Sequence, residues 1–208
     1  MKIDKPQTSN AIESNFEDIE NETEIFDAIF RNTPKEKCTI EEVAFERCIF
    51  EGISFDNVDL QKVDFVDTIF INCDISNKKF DERYFDRVEF KNCKMVGTTF
   101  IDATIKNTFF ENCQTKYLNF ADARLTKIKI KDSEIIEATF FDTKIKNLEL
   151  DKIAMKGTEF LRTKLSGIDF SNSDISGVTF DFESIKGITI DMFQCPRIVN
   201  MLGIKIKD

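Results

Sequence analysis

Phe80-Asp81-Glu82-Arg83-Tyr84-Phe85-Asp86-Arg87-Val88-Glu89-Phe90-Lys91-Asn92-Cys93-Lys94-Met95-Val96-Gly97-Thr98-Thr99-Phe100 puts a large apolar residue at every fifth position. The count continues in both directions, back through Phe70, Phe65, Leu60, Phe55 and Phe50 to Phe45, and forward through Phe120, Phe140, Phe160, Phe170 and Phe180 to Ile190. Within this span only Thr115 breaks the column. A second series lies two residues earlier and is mostly small or β-branched, as in Val43, Cys48, Ile53, Val58, Val63, Thr68, Cys73, Val88, Cys93 and Thr98. An α-helix repeats at 3.6 residues and a strand at 2, so neither produces this pattern. A fixed self-similar period is the mark of a solenoid.

Let the large residue be i. Then i and i−2 point inward, and i−1, i+1 and i+2 point outward. Each pentapeptide must turn the chain through roughly a right angle, so four of them close a coil of twenty residues. The corner calls for residues that tolerate positive φ: Gly, Asn and Asp. Position i+2 supplies Gly52, Gly97, Gly157, Gly167, Gly177 and Gly187, and Asn57, Asn72, Asn92, Asn107, Asn112, Asn147 and Asn172. Steps of twenty then predict the stacking. Phe80, Phe100, Phe120, Phe140, Phe160 and Phe180 form one column, and Phe30, Phe50, Phe70, Phe90 and Phe110 another. With coils at the strand spacing of ~4.8 Å, the rings pile offset on one another. The interior wants one flat repeated shape, which accounts for 22 Phe and no Trp.

Over residues 25–195 this register resembles the pentapeptide-repeat family, which implies an all-β solenoid, a right-handed quadrilateral β-helix. A narrower resemblance lies at the C-terminus. Gly187-Ile188-Thr189-Ile190-Asp191-Met192-Phe193-Gln194, followed by Met201-Leu202-Gly203-Ile204, is similar to the terminal segment of the Qnr subfamily. That resemblance implies a DNA-mimicking rod that binds DNA gyrase or another type II topoisomerase and protects it from quinolones, and a homodimer formed through a C-terminal helix. The acidic surface so implied comprises Asp59, Asp64, Asp67, Asp81, Glu82, Asp86, Asp102, Asp122 and Asp142. The implied dimer interface comprises Ile188, Ile190, Phe193, Ile198, Met201, Leu202, Ile204 and Ile206. The fold by itself does not fix function, and a scaffolding pentapeptide-repeat protein with a different protein partner is the alternative.

The expected organisation is an acidic N-terminal tail or cap at 1–24, the β-helix at 25–190, and a helix and tail at 191–208. Residues 25–42 fit the register at Ala28, Phe30, Cys38 and Ile40 but not at Pro34 and Lys35. Asp191 and Gln194 form a capping-box arrangement for a short helix from Met192 to Leu202, stopped at Gly203. The apolar tail suits either a two-fold dimer or a cap on the last coil. Three charged residues occupy inward slots: Lys78, Arg83 and Glu183. Burying an unpaired charge costs several kcal/mol, so the chain around Asp81-Glu82-Arg83-Tyr84 is expected either to bulge or to let both side chains snorkel outward.

Net charge is −9, which opposes direct nucleic-acid binding and suits a basic protein partner. Residues 1–70 hold 17 acids and 7 bases, and residues 71–208 hold 21 and 22. Glu82, Asp102, Asp122 and Asp142, twenty apart at i+2, make an acidic ridge. Arg124, Lys144 and Lys164 make a basic row two residues on, joined by Lys106, Lys127, Lys146 and Lys186. The ridge reads either as a stand-in for a phosphate row or as turn-forming Asp with Arg124 and Lys144 as surface partners. Five cysteines, Cys38, Cys48, Cys73, Cys93 and Cys113, take the i−2 slot and read as packed free thiols. With no His, triads and the usual zinc sites are unavailable, and no phosphate-loop or dinucleotide fingerprint occurs. The expectation is therefore no enzyme, no catalytic residues, no metal and no cofactor. No apolar run marks a signal peptide or a membrane span, so the expected location is the cytoplasm, with no membrane partner.

Overall fold

The computed structural model describes residues 1–8, 11–201 and 203–207. The chain winds into a β-solenoid of about eight turns with one short C-terminal helix, Cys195–Met201. All strand pairing is parallel, and in the body of the rod the offset is twenty: Phe65 sits beside Phe85, Phe70 beside Phe90, Ile105 beside Leu125 and Leu125 beside Ile145. Five eight-residue strands, Asp64–Ile71, Tyr84–Lys91, Thr104–Glu111, Arg124–Lys131 and Lys144–Asp151, stack along two adjoining sides and bend at the corner between them. The other sides carry short strands and single bridges, such as Ser54 to Asp74 to Lys94 and Lys79 to Thr99 to Asn119.

The predicted columns are present. Ring centroids lie 4.9 Å apart for Phe50–Phe70, 4.8 Å for Phe70–Phe90 and 5.1 Å for Phe100–Phe120, with interplanar angles of 12°, 12° and 7°. Neighbouring columns meet edge to face, as in Phe80–Phe85 at 85°. Each such pair adds about 0.5–1.5 kcal/mol beyond the area it buries. The i−2 residues explain their own chemistry. Thr98, Thr143 and Thr163 donate their hydroxyls to the carbonyls of Ile75, Phe120 and Phe140, 23 residues earlier, at 2.7–2.8 Å. Cys73, Cys93 and Cys113 aim their thiols at the carbonyls of Phe50, Phe70 and Phe90 in the same way. A small side chain with a donor fills the slot and satisfies a carbonyl at once. Thr115, in the large column, is buried and bonds the Glu134 carbonyl.

The corners hold a surprise. Positive φ occurs at nearly every i+2, yet the residues there include Glu42, Arg47, Lys62, Arg87, Tyr117, Lys127, Glu137, Lys152 and Arg162 as well as Gly, Asn and Asp. Left-handed backbone costs a non-Gly residue about 1–2 kcal/mol, and the coil imposes it because the ladder bonds on both sides require the corner. Conversely, Asn57 and Asn172 do not have positive φ. Asn57 instead spends its side-chain amide on the carbonyls of Pro34 and Lys35.

One open alternative is decided and two expectations are corrected. The backbone does not bulge at Lys78 and Arg83: Tyr84 pairs with Thr104 in register, and the Glu82 amide bonds the Ile101 carbonyl. Both side chains reach outward while half-buried. Lys78 Nζ donates to the Val58 carbonyl at 2.8 Å and Arg83 Nε to the Asp81 carbonyl at 3.1 Å. Glu183 is exposed, not inward, because the chain slips by one residue. Ser184 fills the slot instead, accepting from the Thr163 amide at 3.2 Å. The C-terminal helix starts at Cys195, not Met192, since Met192 to Gln194 form the capping turn.

At the N-terminal end, Ile12–Ser14 pairs with Ala28–Phe30 at an offset of sixteen. The following turn, Phe16–Asp18, drops the Phe16 ring onto Phe30 at 4.9 Å and closes the aromatic stack. Residues 1–8 run back along the rod. Gln7 N donates to Asp67 at 3.3 Å, Asp4 meets Lys127 at 3.2 Å, and the Met1 amine meets Glu149 at 2.7 Å.

Candidate functional site

The acidic surface is built by the corner geometry. Glu82, Asp102, Asp122 and Asp142 occupy one corner of four successive coils, each with its amide bonded to the next coil, to Ile101, Ala121, Phe141 and Leu161 in turn. The carboxylates thus repeat at the strand spacing of ~4.8 Å. Like charges at that distance repel by about 1 kcal/mol in bulk water. Glu82, Asp102 and Asp122 are exposed and have no ion-pair partner among the described residues. Asp142 is held by Arg162 at 2.9 Å.

The ridge carboxylates do not pair with Arg124 or Lys144. Corner side chains meet the residue directly above them, twenty on. Arg47 pairs with Asp27, Lys62 with Glu42, Arg87 with Asp67 and Arg162 with Asp142, and on a flat side, at i−1, Lys94 pairs with Asp74 at the same interval. Opposite charges spaced by twenty were the readable signal for these pairs.

The remaining acidic candidates divide. Asp59 is exposed and receives only the Gln61 amide at 2.6 Å. Asp64 accepts the Tyr84 amide at 2.8 Å, and Asp81 the Ile101 amide at 3.0 Å. Asp86 binds Arg87 at 2.7 Å and the Asn107 amide at 2.8 Å. Asp67 is buried beneath Arg87 and Gln7, so it offers no free carboxylate to a partner.

The second candidate surface is the C-terminal end. Asp191 and Gln194 form a reciprocal capping box: the Gln194 amide donates to Asp191 Oδ1 at 2.9 Å, and the Asp191 amide to Gln194 Oε1 at 3.0 Å. Gln194 also donates to the carbonyls of Phe170 and Ser173, which seats the turn on the last coil. Arg197 adds an ion pair to Asp174 at 3.1 Å. At the far end Gly203 has φ +74, and Ile204 N reaches the Val199 carbonyl at 3.3 Å, a Schellman-type stop. Of the interface candidates, Ile188, Ile190 and Ile198 pack on the core. Phe193, Met201, Ile204 and Ile206 are exposed, Phe193 by 84%. Leu202 lies outside the described residues. Met192 and Phe182, which the sequence reading left out, are also exposed beside this end.

All six cysteines are free. Burial pushes the Cys48 thiol up to about 11, and hydrogen bonding to Cys113 and then Cys73, with burial behind them, pushes the Cys93 thiol up as well. Among the described residues no cluster of His, Cys, Asp or Glu could hold a metal ion, and no helix is long and apolar enough to cross a membrane.

Two family descriptions match the sequence: a pentapeptide repeat region over residues 63–140, and pentapeptide repeats in eight copies over residues 41–77. Between them the two matches cover residues 41–140, a stretch that the coil geometry above continues in the same five-residue register on both sides. Among solved structures, full-length QnrB1, a plasmid-mediated fluoroquinolone resistance protein, is 17% identical, with 92% of this chain and 95% of that one covered and a TM-score of 0.44. HetL, involved in heterocyst differentiation regulation in the cyanobacterium Nostoc, is 9% identical over 82% and 90%, with a TM-score of 0.28. A pentapeptide repeat protein of the Arabidopsis thaliana thylakoid lumen is 17% identical over 45% and 62%, with a TM-score of 0.27. No curated protein matches the sequence. These likenesses are of architecture.

Proposed function

We propose that this chain is a non-enzymatic binding protein of the cytoplasm, whose acidic rod occupies the DNA-binding surface of a type II topoisomerase, DNA gyrase, and relieves quinolone inhibition. The observation that carries this reading is the stack of Glu82, Asp102 and Asp122, one carboxylate per coil without a counter-ion among the described residues. One charge per ~4.8 Å along the ridge is comparable to one per ~3.4 Å along a single DNA strand. The ridge is held by main-chain ladders and does not have to order itself on binding, which lowers the cost of association. The C-terminal residues that resemble the Qnr subfamily point to the same partner. The exposed Phe193, Met201, Ile204 and Ile206 give the two-fold contact of a homodimer.

The test is supercoiling by purified gyrase in the presence of ciprofloxacin, titrated with this protein. Rescue is expected, and it should weaken in Glu82→Gln/Asp102→Asn/Asp122→Asn. Absence of rescue together with absence of gyrase binding rejects the reading. A scaffolding rod with a different protein partner is the second reading. It is favoured by the internal neutralisation of Asp67 and Asp86 by Arg87, which thins the acidic face. Capture of another stable partner by a monomeric rod would support it.

A further inference from the structure

The side of the rod that carries the ridge changes sign along its length. Toward the N-terminus its outward residues include Glu22, Glu24, Glu42, Glu46, Asp64 and Asp86; from the coil of Lys106 onward the cations dominate. The change culminates in a groove of about 480 Å³ lined by Arg124, Lys144, Lys146, Arg162 and Lys164, with Asp142 as its one carboxylate. Arg124 and Lys144 are register neighbours on adjoining strands, and Lys164 is the next residue in the same row.

Four of these cations, Arg124, Lys144, Lys146 and Lys164, are exposed and make no ion pair among the described residues. The fifth, Arg162, pairs with Asp142 and lies over the Phe141 ring at 5.2 Å, which fixes its guanidinium at the rim. Elsewhere on this rod many cations find acids twenty residues away, as Lys62 finds Glu42, Lys129 finds Glu149 and Lys152 finds Asp132. Here the positions twenty apart hold cation above cation, which costs stability in the unliganded protein. An acidic protein thus concentrates unneutralised positive charge in one concave place.

We propose that this groove is a binding site for a compact polyanion of the phosphate class. The row from Arg124 to Lys164 spans two coil steps, about 10 Å, which equals the Debye length at 0.1 M salt, so all the cations act on one ligand together. The half-buried Thr126 adds a hydroxyl to the lining. Guanidinium groups at Arg124 and Arg162 suit tetrahedral oxyanions. The neighbouring Asp102 and Asp122 and the acidic coils beyond them repel a ligand that overhangs the groove. This selects a short, dense anion over a long nucleic-acid strand.

Calorimetric titration of the full chain with sodium tripolyphosphate, and with a doubly phosphorylated serine peptide, tests the site. Saturable binding is expected for at least one probe. It should weaken roughly tenfold or more in Lys144→Gln/Lys164→Gln and stay unchanged in Lys79→Gln/Lys94→Gln, which removes the same charge elsewhere. Tighter binding of the peptide identifies a phosphorylated protein as the source of the anion, and tighter binding of tripolyphosphate a free polyphosphate. Two results overturn the proposal: no saturable binding of either probe at millimolar concentration, or equal weakening in both double variants. Neither depends on whether gyrase is bound.

Discussion

Arg87 grips Asp67, twenty residues earlier and one coil below, with Nε to Oδ1 and Nη2 to Oδ2 both at 2.7 Å. The Asp67 side chain is only 9% exposed. The pair turns a candidate docking carboxylate into a structural clamp on the corner. Arg87→Met leaves Asp67 buried without its partner and should cost about 3 kcal/mol. The double variant Asp67→Leu/Arg87→Met should regain most of that loss. Urea unfolding midpoints of the wild type, the two single variants and the double variant check both parts.

The corner residues make the coil's backbone demand measurable. Lys152 has φ 55, in the left-handed region. Lys152→Gly should be neutral to stabilising by up to about 1 kcal/mol, because relief of the left-handed strain outweighs the added chain entropy. Gly97 has φ +71, and an added Cβ would sit 2.8 Å from Asn77 Oδ1. Gly97→Ala should therefore destabilise by about 1–2 kcal/mol. Thermal unfolding of the two variants should shift in opposite directions, or only Gly97→Ala should shift.

Thiol accessibility separates the cysteines. Cys195 is exposed, Cys38 is half-buried, and Cys48, Cys73, Cys93 and Cys113 are buried. Since the thiolate is the reactive species, Cys48 with its thiol near 11 should resist alkylation at pH 8. Iodoacetamide on the native protein should modify Cys195 rapidly and Cys38 slowly, and leave the other four until denaturant is added. Peptide mass spectrometry reads the order directly.

Acid should loosen the last coils. Hydrogen bonds from Ser176, followed by Arg197, hold Asp174 below the ordinary carboxylate range, and the Arg162 amide does the same for Asp181. A depressed folded-state value means stability that is present above the unfolded value of 3.8 and lost as pH falls through the folded one. Melting temperature should hold steady down to about pH 4 and fall below it. Asp174→Asn should flatten that fall, and circular dichroism melts across pH 2–6 decide it.

Much of this molecule was legible in its letters because the coil ties a single period to a single inward direction. Phe100 below Phe120 follows from counting alone, and so does Cys73 below Cys93. What escaped was what the coil compels or permits against local preference. Lys152 and Arg162 adopt left-handed backbone that propensity disfavours, because ladder bonds on either side outweigh it. Lys78 and Arg83 keep the register because their long stems let the charge leave an inward slot. Ser184 replaces Glu183 through a one-residue slip where the rod ends and stacking no longer enforces the count. At the site, the ridge from Glu82 to Asp142 was readable, but the burial of Asp67 was not. It needed the charge pattern to be read at an interval of twenty, and it needed residues 1–8 to fold back along the rod.

The account rests on residues twenty apart being neighbours on the surface as well as in the core. Nitroxide labels at Asp102→Cys and Asp122→Cys, in a Cys195→Ser background, test this by continuous-wave electron paramagnetic resonance. Strong dipolar broadening relative to the summed single-label spectra is expected, because the two sites sit one coil step apart. A doubly labelled spectrum identical to that sum would contradict the stacked coil and, with it, the carboxylate ridge.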